Sequence, residues 1–340
     1  METLSELGEF GLIDRLNKVI QREGVKAPRL SLGIGDDAAV FRCRDGFELL
    51  VTCDCLVEGR HYLPGHITPH DLGRRAVAIN ISDIGAMGGR PLYALISLGL
   101  KSDMKIADVE AIYHGFLSEL NPFDAAIIGG NLTKIAQDTF IDVTLIGEVE
   151  QGKMIRRSTA RKGDVILITG YPGRAAAGLE LLLRSETGKD LRDHPLVRAF
   201  NAPSHRAREG RAIALSGCAT AMIDTSDGFL GDLGHICEES GVGAVLVKEQ
   251  IPVSEELLEA SKQLGKDPYD MVFGESDDYE LIITCAPENV DRIRASIDRL
   301  TQVPLNDVGR IAEASEGIRL ILPNGDERLM AHSGWDHFTK

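Results

Sequence analysis

Basic residues are scarce: 37 Lys and Arg stand against 52 Asp and Glu, a formal net charge of -15 over 340 residues. Nucleic acids and anionic membranes are gripped by clusters of Lys and Arg. Neither is expected as a partner, and any phosphorylated ligand needs cations to mask the acids. Long apolar runs are missing too: the 43% hydrophobic content is broken into short stretches, none near the ~20 residues of a membrane helix. Met1-Glu2-Thr3-Leu4-Ser5-Glu6 lacks the basic and apolar regions of a signal peptide, so a cytoplasmic protein is expected. The six cysteines (Cys43, Cys53, Cys55, Cys218, Cys237, Cys285) form no disulfide framework. Cys53-x-Cys55 is too tightly spaced for the usual zinc pairing and has no downstream partner pair, so both read as small buried thiols. The common nucleotide signatures are absent, with no G-x-x-x-x-G-K-[ST] and no H-R-D loop followed by D-F-G. Gly170-Tyr171-Pro172-Gly173-Arg174 lacks the Lys-Ser or Lys-Thr of a phosphate loop and reads as a plain strand-to-helix turn. No repeat of 20 to 50 residues is visible.

What the chain does have is acid set among apolar and small residues. Leu32-Gly33-Ile34-Gly35-Asp36-Asp37-Ala38-Ala39 carries two adjacent carboxylates in a glycine-rich run, and the composition recurs at Cys53-Asp54-Cys55, Asn80-Ile81-Ser82-Asp83 and Ile223-Asp224-Thr225-Ser226-Asp227-Gly228. Burying unpaired carboxylates costs several kcal/mol. These stretches are read as one site holding metal ions. Magnesium suits them best, since it takes carboxylate and carbonyl oxygens and bridges protein to phosphate.

Length alone allows two domains. Periodicity predicts a helix over 4–23 with Ile13, Leu16 and Ile20 inward, a strand over 47–53 whose end delivers Asp54, and a buried helix from Thr68-Pro69 to Met87 that carries Asp83. Strands follow over 91–100, 125–128 and 139–147, with a helix over 105–120. Gly129-Gly130-Asn131-Leu132-Thr133 reads as a loop whose glycines either admit a phosphate or mark an ordinary turn. The first domain is expected to close near 150. Beyond it, a strand over 164–169, a long irregular connection over 185–203, a strand ending at Asp224, and a helix over 229–240 are expected. Pro287 should open a helix with Val290, Ile293, Ile297 and Leu300 inward, and Asn324-Gly325 a hairpin turn.

The stretches Gly33-Ile34-Gly35-Asp36-Asp37-Ala38-Ala39, Asp54-x-Leu56-Val57-Glu58-Gly59-x-His61, Ala78 to Gly88, Asp224-x-Ser226-Asp227-Gly228 and Gly334-Trp335-Asp336-His337-Phe338 together resemble the thiamine-monophosphate kinase family. That family belongs to the superfamily of aminoimidazole ribonucleotide synthetase, selenophosphate synthetase and a hydrogenase maturation protein. The resemblance covers nearly the whole chain in order. It implies a two-domain α+β or α/β chain. Residues 1–150 would form a mixed β domain with a barrel-like dimer interface, residues 151–340 an α/β domain, and the active site would lie in the cleft between them. It also implies a homodimer that transfers a phosphoryl group from ATP to thiamine monophosphate with several magnesium ions, without a covalent phosphoenzyme. By position, Asp37, Thr52, Cys53, Asp54, Asp83, Asn131, Asp224 and Asp227 would form the magnesium set, with Asp54, Asp83 and Asp227 central to catalysis. Tyr113, Gly130, Asn131, Arg157 and Ser226 would contact ATP, and His61, Asp277 and Trp335 thiamine monophosphate.

Each of these also has a plainer reading. His61 reads more readily as a loop cap, Trp335 can cover the core, Arg157 can be part of an exposed basic pair, and Tyr113 can be core. Three positions depart from the family pattern: Asn131 stands for Asp, Cys53 for Thr, and Gly274-Glu275-Ser276-Asp277-Asp278-Tyr279-Glu280-Leu281 for Gly-Gly-Glu-Asp-Tyr-Glu-Leu. The alternatives carried alongside are a superfamily paralogue phosphorylating another small phosphate or acyl acceptor, and a nucleotide-binding regulatory protein without turnover.

Overall fold

A computed structural model describes residues 4–24, 29–32, 34, 39–185 and 190–331 of the chain. It divides into two compact units, Met1–Ile84 with Gly89–Gln151, and Gly85–Gly88 with Gly152–Lys340. Asp36, Asp37 and Trp335, expected at the site, lie outside the described residues.

The first unit contains α1 (Leu4–Glu23), β1 (Leu30–Leu32), β2 (Val40–Phe41), β3 (Phe47–Val57), α2 (Pro69–Ala86), β4 (Arg90–Leu100), α3 (Ile106–Leu120), β5 (Ala126–Lys134) and β6 (Phe140–Glu150). Its four-stranded sheet runs β3-β6-β4-β5, with β4 and β5 parallel and the other pairs antiparallel. In β6, Ile141, Val143 and Leu145 are fully buried on one face while Asp142 and Thr144 lie on the other, the period-2 alternation expected of a half-covered strand. Helix α2 begins where Thr68 Oγ1 accepts the Asp71 amide at 3.0 Å, an N-terminal cap ahead of Pro69. It meets α3 backbone to backbone. A Cβ on Gly73 would sit 2.0 Å from the Ile112 carbonyl oxygen, and one on Gly115 2.1 Å from that of His70. In α1 the inward stripe is Leu12, Leu16 and Val19. It is rotated from the expected Ile13, Leu16 and Ile20, because α1 seats against α3 through Arg15–Glu110 and Glu23–His114.

Two further expectations shift here. β3 does not end at Cys53 but runs on to Val57, so Asp54 lies within an edge strand paired along its length with β6. Gly129 to Thr133 is likewise strand rather than loop, the second half of β5. Gly130 lies opposite Ile96, and a Cβ there would stand 2.0 Å from the Ile96 carbonyl oxygen. Close strand packing therefore explains this glycine.

The second unit contains β7 (Val165–Thr169), α4 (Arg174–Arg184), α5 (Pro195–Asn201), α6 (Ala207–Ser216), β8 (Ala219–Asp224), α7 (Phe229–Ser240), β9 (Val242–Val247), α8 (Glu255–Leu264), α9 (Pro268–Val272), β10 (Leu281–Cys285), α10 (Val290–Ile297), β11 (Leu305–Glu313), β12 (Ile318–Ile321) and β13 (Glu327–Met330). These strands form a seven-stranded, mostly antiparallel sheet in the order β13-β12-β9-β11-β7-β10-β8. One core packs Val165, Leu167, Met222, Leu281 and Ile283 against Ile213, Ile293 and Ile297. Part of the expected irregular connection is helix α5, opened by Pro195 and capped by the His194 side chain. Leu300 falls beyond the end of α10 and is 55% exposed, so it leaves the inward stripe that Ile293 and Ile297 keep. Asn324-Gly325 does lie in the turn of the β12–β13 hairpin. Among the described residues no helix is long and apolar enough to cross a membrane.

Candidate active site

In the first unit, helix α2 offers polar groups to the edge strand. The Thr52 hydroxyl donates to Asp83 Oδ2 at 2.5 Å, and the Asp54 amide of edge strand β3 donates to Asn80 Oδ1 at 3.1 Å. Asn80 is fully buried and donates in turn to the Ala76 carbonyl oxygen at 3.0 Å. Asn80 and Asp83 are three residues apart on α2, so both reach one side. The Thr52 and Asp54 side chains project to that same face of β3. This is a hard oxygen donor set of the type magnesium takes.

Strand alternation excludes two predicted partners from this group. Cys53 projects to the opposite face, where its thiol lies 3.5 Å from both Asp142 Oδ1 and Thr144 Oγ1. Cys55, Asp142, Ser97 and Asn131 form one cross-strand row on that face. The side chains of Cys53 and Asn131 thus do not join those of Thr52, Asp54 and Asp83. Cys53 and Cys55 are also exposed rather than buried, and all six cysteines are free thiols. This face carries Leu49 and Val51, 42% and 65% exposed. Its other end is covered by β1–β2, where Phe41 packs on Tyr93 and Arg29 pairs with the buried Glu148. Burial pushes the Glu148 carboxyl up, but hydrogen bonds from Arg29 and Arg90 outweigh it and hold the group ionised.

Other predicted residues of this unit also make contacts within the fold. Gly59, at φ 77°, turns the chain after β3, and His61 Nδ1 accepts the Val57 amide at 2.9 Å, the loop-cap alternative. Glu58 ties the same turn to Lys101 and to the Thr139 amide. Tyr113 is buried in α3, edge-on to Phe116, and burial raises its phenol. The core reading of Tyr113 is the one this packing supports.

In the second unit, the loop after β8 is fastened to the 277–280 segment through Thr225. Its amide donates to the Glu280 carbonyl oxygen, its own carbonyl accepts the Tyr279 amide, and its hydroxyl accepts the Glu280 amide, at 2.8, 2.8 and 2.9 Å. Asp224, Ser226 and Asp227 are thereby held in one body with Asp277. Behind them the buried Glu280 receives two 2.6 Å bonds from Arg206 and one from Thr169. Gly170, at φ 56°, has no room for a side chain, since a Cβ would lie 2.0 Å from Glu280 Oε1. Asp278 accepts the Gly173 and Ala175 amides at 2.6 and 2.8 Å, and Ser276 both donates to it and accepts the Ala176 amide. The protein's own carboxylate thus fills the first turn of α4, which agrees with the plain-turn reading of 170–174. Burial pushes Asp278 up to about 6, against the pull of the Ala175 amide, the Ser276 hydroxyl and the Gly173 amide. Arg157 is exposed, 3.8 Å from Glu239.

Sequence reasoning missed Asp232, Glu280 and Arg206. Asp232 accepts the Asp227 and Gly228 amides at 3.1 Å each, and burial, then Asp224 and Asp227, hold its carboxyl well above the usual range. An acid in the first turn of α7 was the available signal. The Glu280–Arg206 pair spans 74 residues and had none.

Residues 35–149 match the model of the AIR synthase related protein N-terminal domain, and residues 161–321 that of its C-terminal domain. The chain is 34% identical over 336 residues to the thiamine-monophosphate kinase of Aquifex aeolicus, covering 98% of this chain and 99% of that one. The Escherichia coli K12 thiamine-monophosphate kinase is also 34% identical, with 98% of each chain covered. The chain belongs to the thiamine-monophosphate kinase family. A solved thiamine-monophosphate kinase from Stenotrophomonas maltophilia superposes with a TM-score of 0.80 at 33% identity, over 94% of this chain and 98% of that one. A structure of AaThiL complexed with AMPPCP and TMP superposes at 0.74 and 33% identity, over 99% of each. The hydrogenase maturation protein HypE in complex with ATP shares the fold at 20% identity and a TM-score of 0.76.

Proposed function

We propose that this member of the thiamine-monophosphate kinase family transfers the γ-phosphoryl group of ATP to the phosphate of thiamine monophosphate, giving ADP and thiamine diphosphate. The observation that carries the reading is the end-to-end likeness to thiamine-monophosphate kinases, among them a complex with AMPPCP and TMP. An oxygen of the acceptor phosphate attacks the γ-phosphorus, the bond to the β,γ-bridging oxygen breaks, and ADP leaves with the electron pair. Little covalent work falls to the protein, which positions the two phosphates and offsets their charge.

Magnesium is part of the reading, and the donor chemistry fits it. Thr52, Asp54 and Asp83 in the first unit, and Asp224 and Asp227 in the second, would hold the ions, which would neutralise the phosphate oxygens. Asp37 is retained by position. Arg157 and Ser226 are assigned to ATP, His61, Asp277 and Trp335 to the acceptor. Thr225 and Glu280 are positioning residues, fixing the loop that carries Asp224 and Asp227. A cytoplasmic homodimer completes the proposal. The open face with Leu49 and Val51 is the surface a second copy would cover, closing a barrel from two four-stranded sheets. Calorimetric binding of AMPPCP with magnesium, followed by thiamine monophosphate, tests the substrate pair. Binding of AMPPCP alone, with no heat on adding thiamine monophosphate, would favour a paralogue with another acceptor.

A further inference from the structure

The segment 274–280 is fastened along its whole length. Its start packs against the Asp224–Gly228 loop, where a Cβ on Gly228 would stand 2.4 Å from the Gly274 carbonyl oxygen and 3.2 Å from the Ser276 amide nitrogen. Its middle is seated on the first turn of α4. There the Ser276 hydroxyl accepts the Ala176 amide at 3.1 Å and donates to Asp278 Oδ2 at 2.7 Å, while Asp278 takes the Gly173 and Ala175 amides. Its end is bonded through Tyr279 and Glu280 to Thr225. Tyr279 sits at φ 55°, a left-handed conformation that a side chain of this size holds only where its surroundings dictate the backbone. Ser276, Asp278, Tyr279 and Glu280 are all buried, and within 276–280 only Asp277 keeps part of its surface exposed.

Ser276 and Asp278 flank Asp277, so pinning both fixes the direction in which the Asp277 side chain leaves the backbone. Only its own staggered torsions remain to move the carboxylate. The Ser276 hydroxyl joins the α4 backbone to Asp278 and so closes this clamp. We propose that Ser276 is a positioning residue that sets the reach of the Asp277 carboxylate and thereby the acceptors the site takes. The inference rests on the assignment of Asp277 to the acceptor in the kinase reading. A carboxylate held at a set point favours an acceptor that brings a cationic or N–H-bearing group there, and disfavours one that leaves it unpaired.

Hydrogen exchange of the ligand-free, full-length protein tests the clamp. In the wild type, residues 274–280 should exchange as slowly as the first turn of α4, and Ser276→Ala should speed both while leaving β7 and β10 protected. Fast exchange over 274–280 in the wild type, or no change in Ser276→Ala, would overturn the proposal. Steady-state kinetics test the consequence. Ser276→Ala should raise the KM for thiamine monophosphate about 10-fold, with kcat and the KM for ATP nearly unchanged. In an Asp277→Ala background the same substitution should have almost no further effect on that KM, because the group it positions is gone. An equal rise in both backgrounds would make Ser276 merely structural, and an unchanged KM in Ser276→Ala alone would also overturn the assignment. The predicted exchange in a protein that does not turn over thiamine monophosphate would uphold the clamp and count against the kinase reading.

Discussion

The Thr52 hydroxyl donates to Asp83 Oδ2 across 2.5 Å, joining the edge strand β3 to helix α2 where Asn80 also meets the Asp54 amide. If these groups hold magnesium, Asp83→Asn removes a formal charge while keeping its shape. Losing several kcal/mol of charge stabilisation lowers kcat/KM by about 100-fold or more, with thermal stability nearly unchanged. Steady-state kinetics across a magnesium titration check this, and full activity in Asp83→Asn would remove Asp83 from the metal set.

Thr225 makes three hydrogen bonds that fix the Asp224–Asp227 loop to Tyr279 and Glu280. Thr225→Val keeps the volume and both backbone bonds but leaves the buried Glu280 amide without its acceptor, a cost of about 1–3 kcal/mol. Urea melts should show that loss. The KM for magnesium should rise as well, and Thr225→Ser, which restores the hydroxyl, should recover most of both.

Asp278 gives a pH signature. Its folded carboxyl is pushed up to about 6 by burial, above the ordinary 3.8 it takes in the unfolded chain. The folded form therefore holds the proton more tightly. The resulting stabilisation is complete below about pH 4 and is lost as pH rises through about 6, an effect of at most ~3 kcal/mol. Asp278→Asn cannot titrate. Urea melts between pH 4 and 7 should show the wild type losing stability relative to this variant as pH rises, and parallel curves would refute the assignment.

Gly130 tests whether its glycine serves the strand. A Cβ would stand 2.0 Å from the Ile96 carbonyl oxygen, an atom of the neighbouring backbone. Gly130→Ala should destabilise by about 1–3 kcal/mol through overpacking, measured by thermal melting without ligands. A variant as stable as wild type would show that β4 and β5 can separate to admit the methyl group.

Much of this architecture is legible in the chain because its signals are local. Thr68-Pro69 announces α2, the Ile141–Val143–Leu145 alternation announces β6, and Gly228 and Gly241 bracket α7. Acids within apolar runs mark Asp54, Asp83 and Asp224. What is not legible is pairing. Whether Asp54 ends a strand or continues it depends on β6 lying alongside, and Gly129-Gly130, turn residues by composition, become strand because β4 needs a close neighbour. Cys53 sits between Thr52 and Asp54 in sequence, yet a strand sends it to the other face. The Arg206–Glu280 pair exists only once distant segments meet.

The central claim rests most directly on product formation. The protein is incubated with ATP, magnesium and thiamine monophosphate, ADP is followed, and the acceptor product is identified by mass. Thiamine diphosphate formed in equal amount with ADP, and only when ATP, magnesium and thiamine monophosphate are all present, is the predicted result. ADP released without thiamine diphosphate, or no turnover by a folded protein that binds both ligands, would contradict it.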